Sequence, residues 1–227
     1  MKIDKIIFYI KNIFKKDITK SNEGDKNKME ITYLKNLYAQ YGVPWDEANI
    51  FGIRHEEDQQ LDVFNDFIGI ATDTEIKLFP GTVDPGKPWT LNPVTVEGIT
   101  GAAHLCLGQH KNAWMIGIHA PNTNFAHEGL IQIGNAVSVW RDVNRDGFFE
   151  QGEPITKGYY GINIHRAYPP GSGATPLVGP YSAGCQVFQV AEDLGYVLNI
   201  LKATNKYKKD PKCLWSYMLF HKNAIQI

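Results

Sequence analysis

Cysteine is scarce in this chain: Cys106, Cys185 and Cys213 make three, an odd number without framework spacing, which argues against a disulfide-built scaffold. The 7 histidines are scattered, and no histidine and cysteine group shows the spacing of a zinc site. Charge of one sign is lacking too: 23 Lys and Arg face 24 Asp and Glu, for a net charge of −1. With no basic stripe through the body of the chain, a nucleic-acid partner is not expected. No apolar run is long enough to span a bilayer, and no internal repeat is visible. What is present is ordinary for a globular protein with a substantial core, 43% hydrophobic and 21% charged residues over 227 positions. Aromatics are plentiful, with 5 Trp and 11 Tyr; such rings stack on sugars or peptides, but in β-rich domains more of them fill the core.

The chain divides into three stretches. In residues 2–16, Ile3, Ile6, Ile7, Ile10, Ile13 and Phe14 recur at helical spacing among lysines, which predicts a short basic amphipathic helix suited to peripheral membrane contact or to docking on the rest of the chain. Charges interrupt its apolar face and no small-residue cleavage site follows, so it does not read as a signal peptide. Polar residues 20–28 read as a flexible linker, closing a first region at 1–28. Residues 29–66 read as helical: Ile31, Leu34, Leu37 and Tyr38 share one face from Glu30 to Tyr41, Gly42 stops that helix, and residues 57–66 suggest a second. From Phe67 short β-like runs take over, at 67–71, 75–79, 102–107, 114–119, 136–141 and 159–166, with Pro80-Gly81 and Asp84-Pro85-Gly86 as breaks. A helix over 192–203 and a strand over 214–221 close the chain. The expected fold of 67–227 is α+β with a mainly antiparallel sheet.

The chemistry sits near the C-terminal third. Gly161-Ile162-Asn163-Ile164-His165-Arg166 is followed, after a Pro/Gly-rich stretch, by Tyr181-Ser182-Ala183-Gly184-Cys185. A thiol is a strong nucleophile as its thiolate, and a histidine is the usual base beside it. Cys185 is the candidate nucleophile and His165 the candidate base. Small residues at Ala183 and Gly184 let backbone approach a substrate carbonyl, so the N–H groups of Gly184 and Cys185 are candidate oxyanion donors. Alternation places Asn163 on the face of His165, where it is a candidate to orient the imidazole; Arg166 falls on the opposite face, and His119 is a reserve candidate. A catalytic Cys185 is expected to alkylate fast near neutral pH.

These residues carry a family resemblance. A histidine upstream of Ser-x-Gly-Cys resembles the signature of the L,D-transpeptidase (YkuD-like) catalytic domain, whose enzymes remodel peptidoglycan. The resemblance implies a base at His165, a nucleophile at Cys185 and a presenting turn at Ser182 and Gly184. It covers roughly residues 95–221 in layout, with specific motif at 161–188. Two positions depart from the family pattern: Ala183 stands where a second histidine is usual, and Gln186-Val187-Phe188 lacks the arginine that usually follows the cysteine. The implied activity is a thioester-forming transpeptidase, carboxypeptidase or endopeptidase acting on peptidoglycan stem peptides, needing no cofactor for its chemistry. It implies action at the bacterial cell wall, reached by a phage lysis route, a secretion machine or a leader. Two other readings stand beside it, a cysteine peptidase acting on proteins and a non-catalytic wall- or glycan-binding domain.

A second motif runs through Asp142-Val-Asn144-Arg-Asp146-Gly147-Phe148-Phe-Glu150-Gln-Gly-Glu153. It matches the twelve-residue calcium loop, with side chains of Asp142, Asn144, Asp146, Glu150 and Glu153, the Phe148 carbonyl and a turning Gly147 as ligand set. A β-like run precedes the loop and Pro154 follows it, which is not the context of an EF-hand. The expectations are a structural calcium ion or a hairpin loop whose Asp and Asn side chains cap their own turn.

Overall fold

The computed structural model describes residues 23–55, 61–148 and 151–225. The basic segment 2–16 and its membrane contact lie outside the described residues. Among the described residues no helix is long and apolar enough to cross a membrane.

The fold is α+β with mostly strands, 35% of residues against 22% in helices. After α1 (Glu23–Gln40) come β1 (Asn49–Arg54), β2 (Asp66–Ala71), β3 (Ile76–Thr82) and the short α2 (Lys87–Leu91). The small hairpin β4 (Thr95–Val96) and β5 (Ile99–Thr100) precedes β6 (Ala102–Leu105), β7 (Gly108–His119), β8 (His127–Gln132), β9 (Val137–Asp142) and β10 (Ile155–Gly158). The chain ends with β11 (Ile164–Arg166), β12 (Gln186–Phe188), α3 (Ala191–Ala203), α4 (Asn205–Lys209) and β13 (Trp215–His221). Eight strands close into a barrel in the order β1-β13-β7-β8-β11-β12-β3-β2, and β10-β9-β6 form a separate three-stranded sheet. Most pairs are antiparallel, but β1 with β13 and β11 with β12 run parallel.

Several expectations change. Residues 23–28 are helical rather than a linker, so α1 begins seven residues before the expected Glu30. Within 29–66, Asn49–Arg54 is a barrel strand; residues 56–60 lie outside the described residues, Leu61 and Asp62 form a turn, and Asp66 already opens β2. Pro80 and Gly81 do not break a strand but sit inside β3. The Gly81 side of β3 pairs with Phe188, and the Pro80 carbonyl accepts from the Gln189 N–H at 3.1 Å.

Alternation along the barrel strands sorts two apolar sets. Ile50, Ile68, Ile70, Ile116, Leu130, Ile164, Tyr217 and Leu219 point inward and join Leu194, Val197, Leu198 and Leu201 of α3 in one core, which also takes Ala103, Leu105, Val137 and Val139 from the smaller sheet. Phe51, Ile53, Phe67, Met218 and Phe220 point outward and are covered by Leu34, Leu37 and Tyr38 of α1. Each such buried side chain stabilises by about 1.5–3 kcal/mol over its exposed state. A buried cluster joins the two sheets: Arg54 of β1 contacts Asp84 at 2.8 Å, and His104 Nδ1 of β6 lies 2.7 Å from the same carboxylate. Burial opposes that charge, but Arg54 and His104 outweigh it and hold the Asp84 carboxyl at about 2.

Candidate active site

The parallel register of β11 and β12 brings the sequence pair together. Ile164 lies opposite Gln186 and His165 opposite Val187, and the Gln186 N–H donates to the Asn163 carbonyl at 2.9 Å. Ile164 points into the barrel, so Asn163, His165 and, across the pair, Cys185 share the outer face. Cys185 and His165 are therefore diagonal neighbours on one surface.

The turn carrying Cys185 is held at several points. Ser182 Oγ donates to the Cys185 carbonyl at 2.8 Å and accepts the Gly184 N–H at 3.2 Å. Gly184 has φ +123°, and a Cβ there would overlap the Ala103 carbonyl oxygen of β6, so both conformation and space demand glycine. Gln186 Nε2 donates to the Gly184 and Val83 carbonyls, each at 3.3 Å, while its Oε1 accepts from the Tyr217 hydroxyl at 3.0 Å. Gln186 and Tyr217 thus tie the turn to the barrel interior. The expected pair of oxyanion donors is halved, because Ser182 Oγ already takes the Gly184 N–H.

On the histidine side, residues 159–163 were expected to continue the strand but do so only from Ile164. The Gln132 side chain takes their peptide groups instead, accepting the Tyr160 and Ile162 N–H groups at 3.1 and 3.0 Å, and Trp114 Nε1 donates to the Ile162 carbonyl at 2.7 Å. A side chain that satisfies backbone in place of a neighbouring strand leaves no sequence pattern.

Three histidines meet beside the cysteine. His119 of β7 stacks on His165 with ring centroids 3.8 Å apart and planes 10° from parallel. His127 of β8, opposite His119 in the ladder, lies 5.1 Å from His119 and 5.7 Å from His165. Hydrogen bonds fix each tautomer. The Arg166 carbonyl lies 2.8 Å from His165 Nδ1, and a carbonyl only accepts, so Nδ1 carries the proton and Nε2 is the bare base. By the same rule the Phe125 carbonyl, 2.6 Å away, puts the proton of His127 on Nδ1. Asn163 Oδ1 accepts the Gln132 N–H at 2.8 Å, so Nδ2 is the atom that donates to His119 Nδ1 at 3.1 Å. Asn163 therefore orients His119, and the Arg166 carbonyl, not Asn163, orients His165.

Burial lowers His165 to about 3, reinforced by the facing His119 and opposed by the Arg166 carbonyl. Burial likewise lowers His119 to about 4, with His127 and Arg166 adding to the effect. The Cys185 thiol is pushed up to about 11 by burial, against a smaller opposing effect of the Asn163 N–H, 3.4 Å from Sγ. Sγ also lies 3.5 Å from the Gly161 carbonyl, and His165 Nε2 is buried with no hydrogen-bond partner. Both shifts favour a neutral thiol and a neutral imidazole, and no hydrogen bond joins Sγ to His165 Nε2, an arrangement that does not favour fast alkylation near neutral pH.

The calcium-like loop joins β9 to β10 as a hairpin, without an exiting helix. Its side chains turn onto their own backbone: Asp142 accepts the Arg145 and Gly147 N–H groups at 2.6 and 2.9 Å, Asn144 that of Asp146 at 3.2 Å, and Asp146 that of Phe148 at 2.8 Å. Glu153 Oε1 accepts the Val143 N–H at 3.2 Å. Glu150 lies outside the described residues, and among the described residues no His, Cys, Asp or Glu group is arranged to hold a metal ion.

No protein-family model matches the chain, and no curated protein matches it.

Proposed function

We propose that this protein is a cysteine enzyme of the L,D-transpeptidase type, acting on peptidoglycan stem peptides through a thioester at Cys185. One observation carries the reading: the His165 tautomer, with Nδ1–H held by the Arg166 carbonyl, leaves a buried Nε2 lone pair without a partner on the face that presents Cys185. Buried nitrogens are usually hydrogen-bonded; His104 Nε2 in the Asp84 cluster is unpartnered too, and what sets His165 apart is its place on the face of Cys185.

As a substrate amide carbonyl arrives, the Cys185 thiol proton passes to His165 Nε2 while Sγ bonds to the carbonyl carbon. The neutral starting pair makes this a transfer coupled to attack rather than a standing ion pair. With the Gly184 N–H taken by Ser182 Oγ, the Cys185 N–H is left as the candidate donor to the developing oxyanion. Collapse breaks the C–N bond, His165 Nε2–H protonates the leaving amine, and a thioester remains. An incoming amine or water then gives up its proton to Nε2 and displaces Sγ, which takes that proton back as it leaves, forming a cross-link or a trimmed stem and restoring the neutral pair.

Incubation of the protein and of Cys185→Ala with purified peptidoglycan fragments, followed by liquid chromatography and mass spectrometry of the stems, tests this. Cys185-dependent loss of a terminal residue, with or without new cross-links, is the expected result. Equal products from both proteins would refute it.

A second reading, a non-catalytic wall- or glycan-binding module in which Cys185 is only packed, fits a thiol pushed up by burial and not hydrogen-bonded to His165 Nε2. It predicts unchanged stem masses with retained fragment binding.

A further inference from the structure

A cleft of about 290 Å³ is lined by Trp89, Val94, Val96, Ala103 and Arg141 and by Ala183 of the Cys185 turn. Arg141 is opposite Ala103 in the β6–β9 ladder, and Ala103 is the residue whose carbonyl seats Gly184. The cleft is therefore next door to the nucleophile.

Arg141 is out of place by ordinary rules. It is 2% exposed and shares its strand face with the core residues Val137 and Val139. Its side-chain contacts are a long bond from Nε to Thr156 Oγ1 at 3.4 Å and the Tyr160 ring, 4.6 Å from the guanidinium carbon. Nη2 is buried without a hydrogen-bond partner, and so is the hydroxyl of Tyr160, a residue that lines the same cleft. No carboxylate lines the cleft among the described residues. A buried guanidinium without a counter-ion is costly, and two unsatisfied donors side by side double the anomaly.

We propose that this cleft binds the free carboxylate of a peptide substrate, taken by Arg141 Nη2 and Tyr160 Oη while the scissile amide lies at Cys185. A carboxylate supplies the acceptor both donors lack, and Arg presents a planar fork matched to it. The Tyr160 ring screens the guanidinium from water, so the peptide enters as that ring turns aside; its hydroxyl has no hydrogen bond to lose. Apolar walls strengthen the resulting ion pair. The position beside Cys185 rests on the reading of that residue as nucleophile, whereas the carboxylate preference does not.

The test uses the full chain with Cys185→Ala, so that nothing turns over, and titrates diacetyl-L-lysyl-D-alanine and its C-terminal carboxamide by calorimetry. The carboxylate peptide is expected to bind about 10-fold or more tightly than the carboxamide. Arg141→Met is expected to bring the two to the same weak affinity while raising the thermal midpoint, since it removes a buried, unpaired charge. Tyr160→Phe, which deletes one hydroxyl and carries the test if Arg141→Met does not fold, is expected to weaken the carboxylate peptide alone. Equal binding of acid and amide, binding of neither, or a preference that survives both substitutions would overturn the proposal. A failure of the nucleophile reading shows elsewhere, as turnover that persists in Cys185→Ala with Arg141 and Tyr160 intact.

Discussion

Two walls of one barrel are put to opposite uses. The outer face of β1, β2 and β13 carries Phe51, Ile53, Phe67, Met218 and Phe220, sealed by α1. The outer face of β7, β8, β11 and β12 carries His119, His127, Asn163, His165 and, at its edge, Cys185, with the His119 and His165 rings stacked on each other. Both walls share the inward core that gives them rigidity. The first wall stabilises the fold; the second places titratable groups on a surface that the fold already holds in register.

Substitutions on the two walls should separate stability from chemistry. Cys185→Ala is expected to lower turnover by about 10³-fold or more with an unchanged unfolding midpoint, measured by stem-peptide assay and thermal melt. Leu37→Ala on the covered wall is expected to cost about 2–5 kcal/mol in denaturant unfolding while the folded fraction keeps its rate. Loss of stability in the first variant or of specific activity in the second would erase the distinction.

Gly184→Ala should fail on both counts, because its φ of +123° and the Ala103 carbonyl both exclude a Cβ. The expected cost is about 1–3 kcal/mol in urea unfolding, with activity lost as the turn shifts.

His165 makes the chemical wall sensitive to acid. Its folded value of about 3 lies below the ordinary histidine value of 6.5, so the unfolded chain takes up the proton first. Stability is therefore full above about pH 6.5 and falls as pH drops toward 3, by about 2 kcal/mol at pH 5 from this group alone. His165→Gln should remove that share of the difference in unfolding free energy between pH 7.5 and pH 5; an unchanged difference would mean that His165 is not held neutral.

Alkylation of Cys185 in the ligand-free protein should run roughly 10-fold slower than that of a free thiol at pH 7 and climb with pH toward about 11. A fast reaction at neutral pH would show a standing thiolate. The smallest effect is expected in the 142–153 loop: because Asp142, Asn144 and Asp146 already cap its turn, chelation should move the thermal midpoint by less than about 1 °C. A larger drop, restored by calcium, would assign the loop to the ion.

The parts of this contrast differ in how plainly the sequence announces them. Leu34, Leu37 and Tyr38 repeat with helical period, so the body of α1 is visible at once, and the strand over 114–119 is read from its apolar run, although β7 starts six residues earlier at Gly108. Strand β1 is not visible, because all of Asn49–Arg54 is buried and no alternation remains. The barrel closes through the parallel β1–β13 and β11–β12 pairs, contacts far apart in sequence with no local signal. In the candidate site, Ser182, Gly184 and Cys185 are legible as a turn and His165 as the candidate base before it. His127 and Gln132 of β8 and Tyr217 of β13 are not, since they act from strands other than those of the motif and are recognised only once register is known. Arg141 stood hidden at the end of a strand, next to a loop that drew attention to its carboxylates.

The most direct test of the chemical wall is intact-protein mass spectrometry after brief mixing with a stem tetrapeptide. The account predicts an added acyl mass that maps to Cys185, is released by hydroxylamine, and is missing from Cys185→Ala and His165→Ala. Peptide processing by the wild-type protein with no adduct at Cys185, or with the adduct on another residue, would contradict it.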